Sequence, residues 1–399
     1  MRVIYWLSPA PRSAVHPISF DDVTAARARL RAHLPTSPVM HYPLLDQLVG
    51  HDMRVWVKHD NHLPLNTFKV RNASSALTAL VERDAALAAR GVAAATMGNH
   101  GQGLAWAGAT LGVPVTICVP EVHNIEKVAV MRSYGARVVA AGATYDDAIA
   151  HCNALVETEG LTRIHSTNHA DVLAGAGTLT AEFLEQVPAL DALVLTLGGG
   201  SQCVGAITVR DVVKPHLAVY ATQSEGASAQ HDAFHDGVPR AGQPVNTFAE
   251  GIATGSTYDM TFDALRAGLT DFVLVSEASI AQAIRDLLRI THNLAEGAGA
   301  AGLSALHVLG PRLAGKQVGI VLCGGNLDVQ RYGRSFTNPQ VLMLWGVPAC
   351  TLSSGALARC ACRSASCSSS RVPTALVPPA SWRPPQPSVR RTNGAANAW

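Results

Sequence analysis

The strongest constraint on this chain is an alternation that runs from about residue 54 to residue 322. Short, continuously apolar runs read as strands at 54–58, 92–96, 115–119, 137–141, 193–197, 217–222, 272–275 and 317–322. Between most of them lie stretches whose apolar residues recur at helical spacing, at 70–90, 101–111, 124–134, 144–157, 171–186, 203–213, 277–291 and 299–309. A strand with no polar alternation is buried on both faces. Such strands, separated by amphipathic helices, predict an α/β fold whose parallel sheets carry helices on both sides. Upstream, 21–33 has helical spacing behind Ser19 and Asp21, and Pro35 and Pro38 end it.

A chain of 399 residues is long enough for two such units. With 48% apolar and 15% charged residues it reads as globular up to about Arg331. Beyond that the character changes, and 358–399 is rich in Ser, Arg, Pro, Cys and Ala without periodicity, which predicts disorder. A formal charge of +2 gives no electrostatic footprint for nucleic acid or an anionic membrane. No apolar run approaches the ~20 residues that span a bilayer, and the apolar start at 1–7 is too short for a signal-peptide core. The expectation is a soluble cytoplasmic protein. Cys118, Cys152, Cys203 and Cys323 read as reduced thiols. Cys350, Cys360, Cys362 and Cys367 lack paired C-x-x-C spacing, so neither a metal site nor a disulfide framework is expected. His41, His51, His59 and His62 match no ligand pattern and read as surface or loop residues.

Ligands of open parallel sheets bind beyond the carboxyl ends of the strands, and four stretches stand out. Asn66-Thr67-Phe68-Lys69 puts a lysine at the start of a helix, where the dipole disfavours an ammonium. An imine-bound lysine suits that place, although a solvated lysine costs little there. Thr96-Met97-Gly98-Asn99-His100-Gly101 joins a strand to a helix and can present N–H groups to a carboxylate, or be an ordinary glycine turn. Gly198-Gly199-Gly200-Ser201-Gln202 reads as a phosphate cup without the order of a dinucleotide or P-loop motif, so a small phosphate ester fits it best. Cys323-Gly324-Gly325-Asn326 ends the last strand with a thiol, or is a turn behind a small buried cysteine. A lysine imine, a carboxylate turn, a phosphate cup and a weak polar group together suit pyridoxal 5'-phosphate.

With Phe248-Ala249-Glu250-Gly251 and Ala295-Glu296-Gly297-Ala298-Gly299 added, these motifs stand in family order, and the chain resembles the serine/threonine dehydratases of the fold type II pyridoxal-phosphate enzymes. The resemblance runs from roughly Val23 to Asp328. It implies two Rossmann-like three-layer domains with the cofactor in the cleft between them. The larger would comprise 20–55 and 155–335, the smaller inserted one 56–154, and 336–399 would be a disordered tail. Lys69 would be the catalytic residue, holding the cofactor as an imine and moving the α-proton. Phe68 would flank the ring, Asn99 would bond its phenolic oxygen, and Gly198, Gly199, Gly200, Ser201 and Gln202 would hold the phosphate. Gly251 and Glu296 would line the pocket, Cys323 would face the ring nitrogen, and Thr96, Gly98, Asn99 and His100 would receive the substrate carboxylate.

The implied activity is loss of water from L-threonine or L-serine to give a 2-oxo acid and ammonia. Elimination on another amino acid such as hydroxyaspartate, or cofactor binding with little turnover, are the alternatives. A homodimer or homotetramer is the implied assembly. Three departures matter. Cys323 replaces the family's usual serine. Met97 stands where racemases of the family carry a second base. Gln223 stands where metal-dependent relatives carry a glutamate, so no metal is expected, although Glu225 is near. The tail lacks the pattern of a regulatory domain, so no isoleucine feedback is expected.

Overall fold

A computed structural model describes residues 16–328. The tail expected at 336–399, its four cysteines and most of the leader lie outside the described residues.

The described chain opens with α1 (Phe20–Leu30), β1 (Val39–His41), α2 (Pro43–Val49) and β2 (Arg54–Lys58). It continues through α3 (Lys69–Arg83), α4 (Ala85–Arg90), β3 (Val92–Ala95), α5 (Asn99–Leu111), β4 (Val115–Val119), α6 (Ile125–Ser133), β5 (Arg137–Ala140), α7 (Tyr145–Glu159) and β6 (Thr162–Arg163). Then come α8 (Ala170–Gln186), β7 (Ala192–Thr196), α9 (Ser201–Val213), β8 (Ala218–Ser224), α10 (Ala229–Asp236), α11 (Phe262–Gly268), β9 (Asp271–Val275), α12 (Glu277–Thr291), α13 (Gly297–Leu309) and β10 (Gln317–Val321). α1 starts where Ser19 and Asp22 form a reciprocal capping box.

The strands form two sheets, one of six strands in the order β1-β2-β10-β7-β8-β9 and one of four in the order β5-β4-β3-β6. All pairings are parallel except β1 with β2, an antiparallel edge that the expectation of parallel sheets did not include. β10 lies between β2 and β7, with Val318 opposite both Val55 and Ala192. The last strand is therefore set beside one of the first.

β1 and α2 had no counterpart in the sequence reading, and other local features depart from it. The helix expected over 70–90 is two, because the Asp84 carboxylate caps α4 by accepting the Ala86 and Leu87 N–H groups. β6, α10 and α11 were not anticipated, being too short for their periodicity to register. The sheets divide the chain at other residues than the expected domain limits. β2 straddles residue 56 yet lies wholly in the six-stranded sheet, and β6 lies beyond residue 154 yet pairs in the four-stranded one. We propose that the domains follow the sheets.

α3 is anchored by a buried ionic network. Arg71 reaches Asp60 through Nε (2.8 Å) and Nη2 (3.1 Å), and Glu182 through Nη1 (2.9 Å) and Nη2 (2.7 Å). Lys58 donates to Glu182 (3.0 Å), to the Ser37 carbonyl (2.8 Å) and to Gln186 (2.7 Å). Exposure is 0% for Lys58 and Asp60, 1% for Arg71 and 7% for Glu182, so two cations and two anions neutralise each other out of water. Removing one member strands the others, which costs about 3–5 kcal/mol in a buried pair. Arg71→Met should therefore lower the unfolding free energy by an amount of that order, read by equilibrium urea unfolding as a lower midpoint with little change in slope.

Candidate active site

The lysine turn is held by the end of β10. The Phe68 N–H donates to the Cys323 carbonyl (2.9 Å), and the Gly325 N–H to the Asn66 carbonyl (2.9 Å). Asn326 Nδ2 donates to the Leu65 carbonyl (2.8 Å). Leu65 and Asn66 take positive φ angles of 63° and 52°, a conformation that costs a branched side chain such as leucine energy and that these bonds hold in place. The turn delivers Lys69 as the first residue of α3, half-buried, with Nζ 4.8 Å from the Phe68 ring centroid. No hydrogen bond or ion pair to Nζ is found among the described residues. Burial pulls its pKa from the ordinary 10.5 down to about 8, partly opposed by Cys323 and Glu296.

Beyond β3, the Thr96 hydroxyl accepts the Gly98 N–H (3.3 Å), and α5 begins at Asn99. The first-turn N–H groups of Asn99 and His100 have no intrahelical acceptor and can take a carboxylate. The His100 ring is buried. Its Nε2 meets the Ile164 carbonyl at 3.3 Å, and burial, then the Lys69 charge, lowers its pKa to about 3. The ring is thus a neutral internal prop and not a surface histidine. The Asn99 amide is engaged twice, donating to Glu296 Oε1 (2.6 Å) and accepting from Asn326 Nδ2 (2.9 Å).

Beyond β7, Gly198, Gly199 and Gly200 lead into α9 at Ser201. Gly200 takes a φ of 98°, which suits glycine. A Cβ on Gly199 would sit 1.9 Å from Thr167 Oγ1, so the loop after β6 packs directly on the cup. The amides of Ser201 and Gln202 open the helix. Asn72 Nδ2 donates to Ser201 Oγ (3.3 Å), while Asn72 Oδ1 and both ends of the Gln202 amide are buried without a partner among the described residues. Buried polar groups are rarely left unpaired. Gln202 Nε2, a free donor beside open helix-start N–H groups, fits a phosphate, and Lys69 fits the aldehyde of a cofactor carrying it.

The remaining groups are uncharged or shielded. Cys323 is buried 3.7 Å from Thr196 Oγ1, and burial pushes its thiol up to about 12. Burial likewise raises the Glu296 pKa against the pull of Lys127 and Asn99. Gly251 is exposed on the loop where neighbouring Glu250 pairs with Lys127 at 2.6 Å. Gln223 is buried, its Oε1 accepting the His231 N–H (3.3 Å), and Glu225 is exposed. Among the described residues no three His, Cys, Asp or Glu groups converge to hold a metal. His59 is buried with Tyr42 Oη on its Nε2 at 3.0 Å, so it is no surface histidine. A cavity of about 500 Å³ beside His16, Phe20 and Val212 is lined by none of the site residues. Sequence reasoning missed Asn72, His165 and Thr167. Asn72 lies one helical turn from Lys69 and was legible; the other two stand in a short loop without a motif.

The family model described as pyridoxal-phosphate dependent enzyme matches residues 30–324. The chain belongs to this family. It is 34% identical over 315 residues to an L-threo-3-hydroxyaspartate ammonia-lyase of Pseudomonas sp, covering 79% of this chain and 97% of that protein. It is 31% identical over 318 residues to an L-threonine ammonia-lyase of Thermotoga maritima, covering 79% of this chain and 78% of that protein. Among solved structures, a T.th. threonine deaminase superposes with a TM-score of 0.72 at 32% identity, covering 78% of this chain and 99% of that one.

The lowered Lys69 pKa has a signature in the cofactor-free enzyme. Between about pH 8 and 10.5 the unfolded chain keeps a proton on Lys69 that the folded chain has released. This group's contribution to stability therefore rises with pH through that window and falls away toward pH 8. Urea unfolding at several pH values should show a shallower rise for Lys69→Ala than for wild type.

Proposed function

We propose that this pyridoxal-phosphate dependent enzyme is an ammonia-lyase that removes water from L-threonine or L-serine, with Lys69 as the base. The observation that carries the reading is an uncommitted lysine of lowered pKa at the start of α3, with α5 packed on its backbone at Gly103 and the start of α9 tied to its helix through Asn72. The assignment of Gly198, Gly199, Gly200, Ser201 and Gln202 to the phosphate, and of Asn99 and His100 backbone N–H groups to the substrate carboxylate, is part of this proposal, as are a homo-oligomer and a cytoplasmic location. No helix among the described residues is long and apolar enough to cross a membrane.

When bound, pyridoxal phosphate supplies the electron sink that acidifies the substrate Cα–H. A Lys69 pKa of about 8 leaves a neutral fraction near pH 7 that can accept this proton. The ammonium so formed can return the proton to the departing β-hydroxyl, which leaves as water. The enamine released hydrolyses to the 2-oxo acid and ammonia. Cys323 stays protonated at neutral pH and offers no negative charge, unlike a carboxylate. Charge at Cα is then less dispersed, which favours prompt loss of the β-substituent over transamination. Met97 is 43% exposed and carries no titratable proton, so it cannot serve as a second base for racemisation.

A second reading is elimination from 3-hydroxyaspartate, favoured by the 34% identity to the Pseudomonas sp lyase. Against it, Lys127, a cation near the site, is already paired with Glu250 at 2.6 Å. The holoenzyme should show a visible absorption band that borohydride abolishes. It should turn L-threonine into 2-oxobutanoate, and Lys69→Ala should abolish turnover. Oxaloacetate from 3-hydroxyaspartate with inert threonine and serine would replace the first reading by the second.

A further inference from the structure

The loop after β6 runs along the whole proposed site. At one end the Ile164 carbonyl meets the His100 ring at 3.3 Å, behind the carboxylate-binding start of α5. At the other, Thr167 presses on Gly199 of the phosphate cup, and Asn168 Oδ1 accepts the Met260 N–H (3.4 Å). His165 lies between these ends, near enough to Lys69 for the two charges to oppose each other. Its Nδ1 accepts two backbone N–H groups, from Thr167 and Asn168, each at 2.9 Å. The proton of the neutral ring is therefore on Nε2, a donor for which the described residues show no acceptor.

Tyr258 stands edge-on to this ring, with centroids 5.8 Å apart and planes at 69°. Its hydroxyl meets Thr254 Oγ1 at 3.2 Å, and its carbonyl accepts the Thr261 and Phe262 N–H groups at the start of α11. Thr261 Oγ1 in turn donates to the Gly199 carbonyl (2.9 Å). Tyr258 is thus tied to the phosphate cup through Thr261. Both rings are half-buried.

We propose that His165 and Tyr258 form the wall that reads the substituents on the substrate's Cβ, and that this uncharged wall selects a hydroxyl with hydrogen or methyl beside it over a carboxylate. The inference rests on the lyase reading above and narrows its substrate. Burial, then Arg163, His169 and Lys69, lowers the His165 pKa to about 4, which keeps the ring a neutral donor in the working range. A hydroxyl can accept from Nε2–H, whereas neither ring offers a β-carboxylate a charge to pair with, and the nearby Arg163 is engaged with Asn153.

Two replacements of His165 separate substrate reading from a purely structural part in the loop. His165→Asn keeps an acceptor near the Nδ1 position for the two loop amides and removes the Nε2 donor. His165→Gln keeps a group near Nε2 and gives up the loop acceptor. kcat and KM would be measured with the holoenzyme on L-serine, L-threonine and L-threo-3-hydroxyaspartate, together with the cofactor dissociation constant and absorption spectrum. His165→Asn should lower kcat/KM for threonine and serine about tenfold or more, a loss typical of a removed pocket contact, with cofactor affinity unchanged. His165→Gln should weaken cofactor binding instead. Tyr258→Ala, which leaves the His165 loop bonds in place, should shift the threonine-to-serine ratio of kcat/KM about tenfold, the scale of one methyl contact. Wild-type kcat/KM values in His165→Asn together with a wild-type threonine-to-serine ratio in Tyr258→Ala would overturn the wall, as would a wild-type preference for hydroxyaspartate. A wild-type enzyme that forms its cofactor band but turns over none of the three would overturn the lyase reading itself.

Discussion

The site depends on one seam, the hydrogen bonds that join the turn before α3 to the end of β10. The Phe68 N–H on the Cys323 carbonyl, at 2.9 Å, places Lys69 and Cys323 side by side although they lie far apart in sequence. Behind the seam, β10 pairs with β2 in register from Gln317 opposite Arg54 to Val321 opposite Lys58. The sheet fixes the approach, and the seam fixes the last few residues. Leu65 and Asn66 accept left-handed backbone because the Asn326 amide and the Gly325 N–H take their carbonyls. Local strain is held by tertiary bonds, the usual arrangement where a chain must aim a reactive side chain.

Around that seam the polar groups are arranged to leave Lys69 without a close anion. Glu296 is spent on Asn99, at 2.6 Å, and Cys323 remains a neutral thiol. Of the strong buried charges only Arg71 stands on the same helix, two residues beyond Lys69, and Asp60, Glu182 and Lys58 balance it from other elements. The division is physically sensible. A balanced network can anchor α3 without adding net field at its first residue, so burial dominates the lysine pKa.

The sequence showed those parts that leave a periodic or compositional mark. The β7 and β4 strands are continuous apolar runs, and the glycines of 198–200 and 324–325 mark the junctions where a ligand can approach. It could not show which strands are neighbours, because β2 and β10 pair across most of the chain. It could not show that β1 runs antiparallel, since a three-residue edge strand carries no direction in its composition. Asp84 was readable in principle, an aspartate three residues before Leu87 inside a helical pattern, but the apolar spacing on either side hid the break. His165 and Thr167 were invisible because their place at the site comes from two-residue β6 and the contacts of its loop, not from any motif.

Three helix starts meet at this site, and they explain why a lysine stands at one of them. α5 and α9 present free N–H groups, whose partial positive charge suits a carboxylate and a phosphate. α3 presents the same field to Lys69, and Asn72 links its first turn to Ser201 at the start of α9. There the field works against the ammonium form, in the same direction as burial. Helix starts of the kind proposed to hold two anions therefore also raise the neutral fraction of the lysine among them, the form that can accept a proton. Bound anions would favour protonation while the helix starts oppose it, which would poise the lysine between its two forms at the stage when a proton has to move.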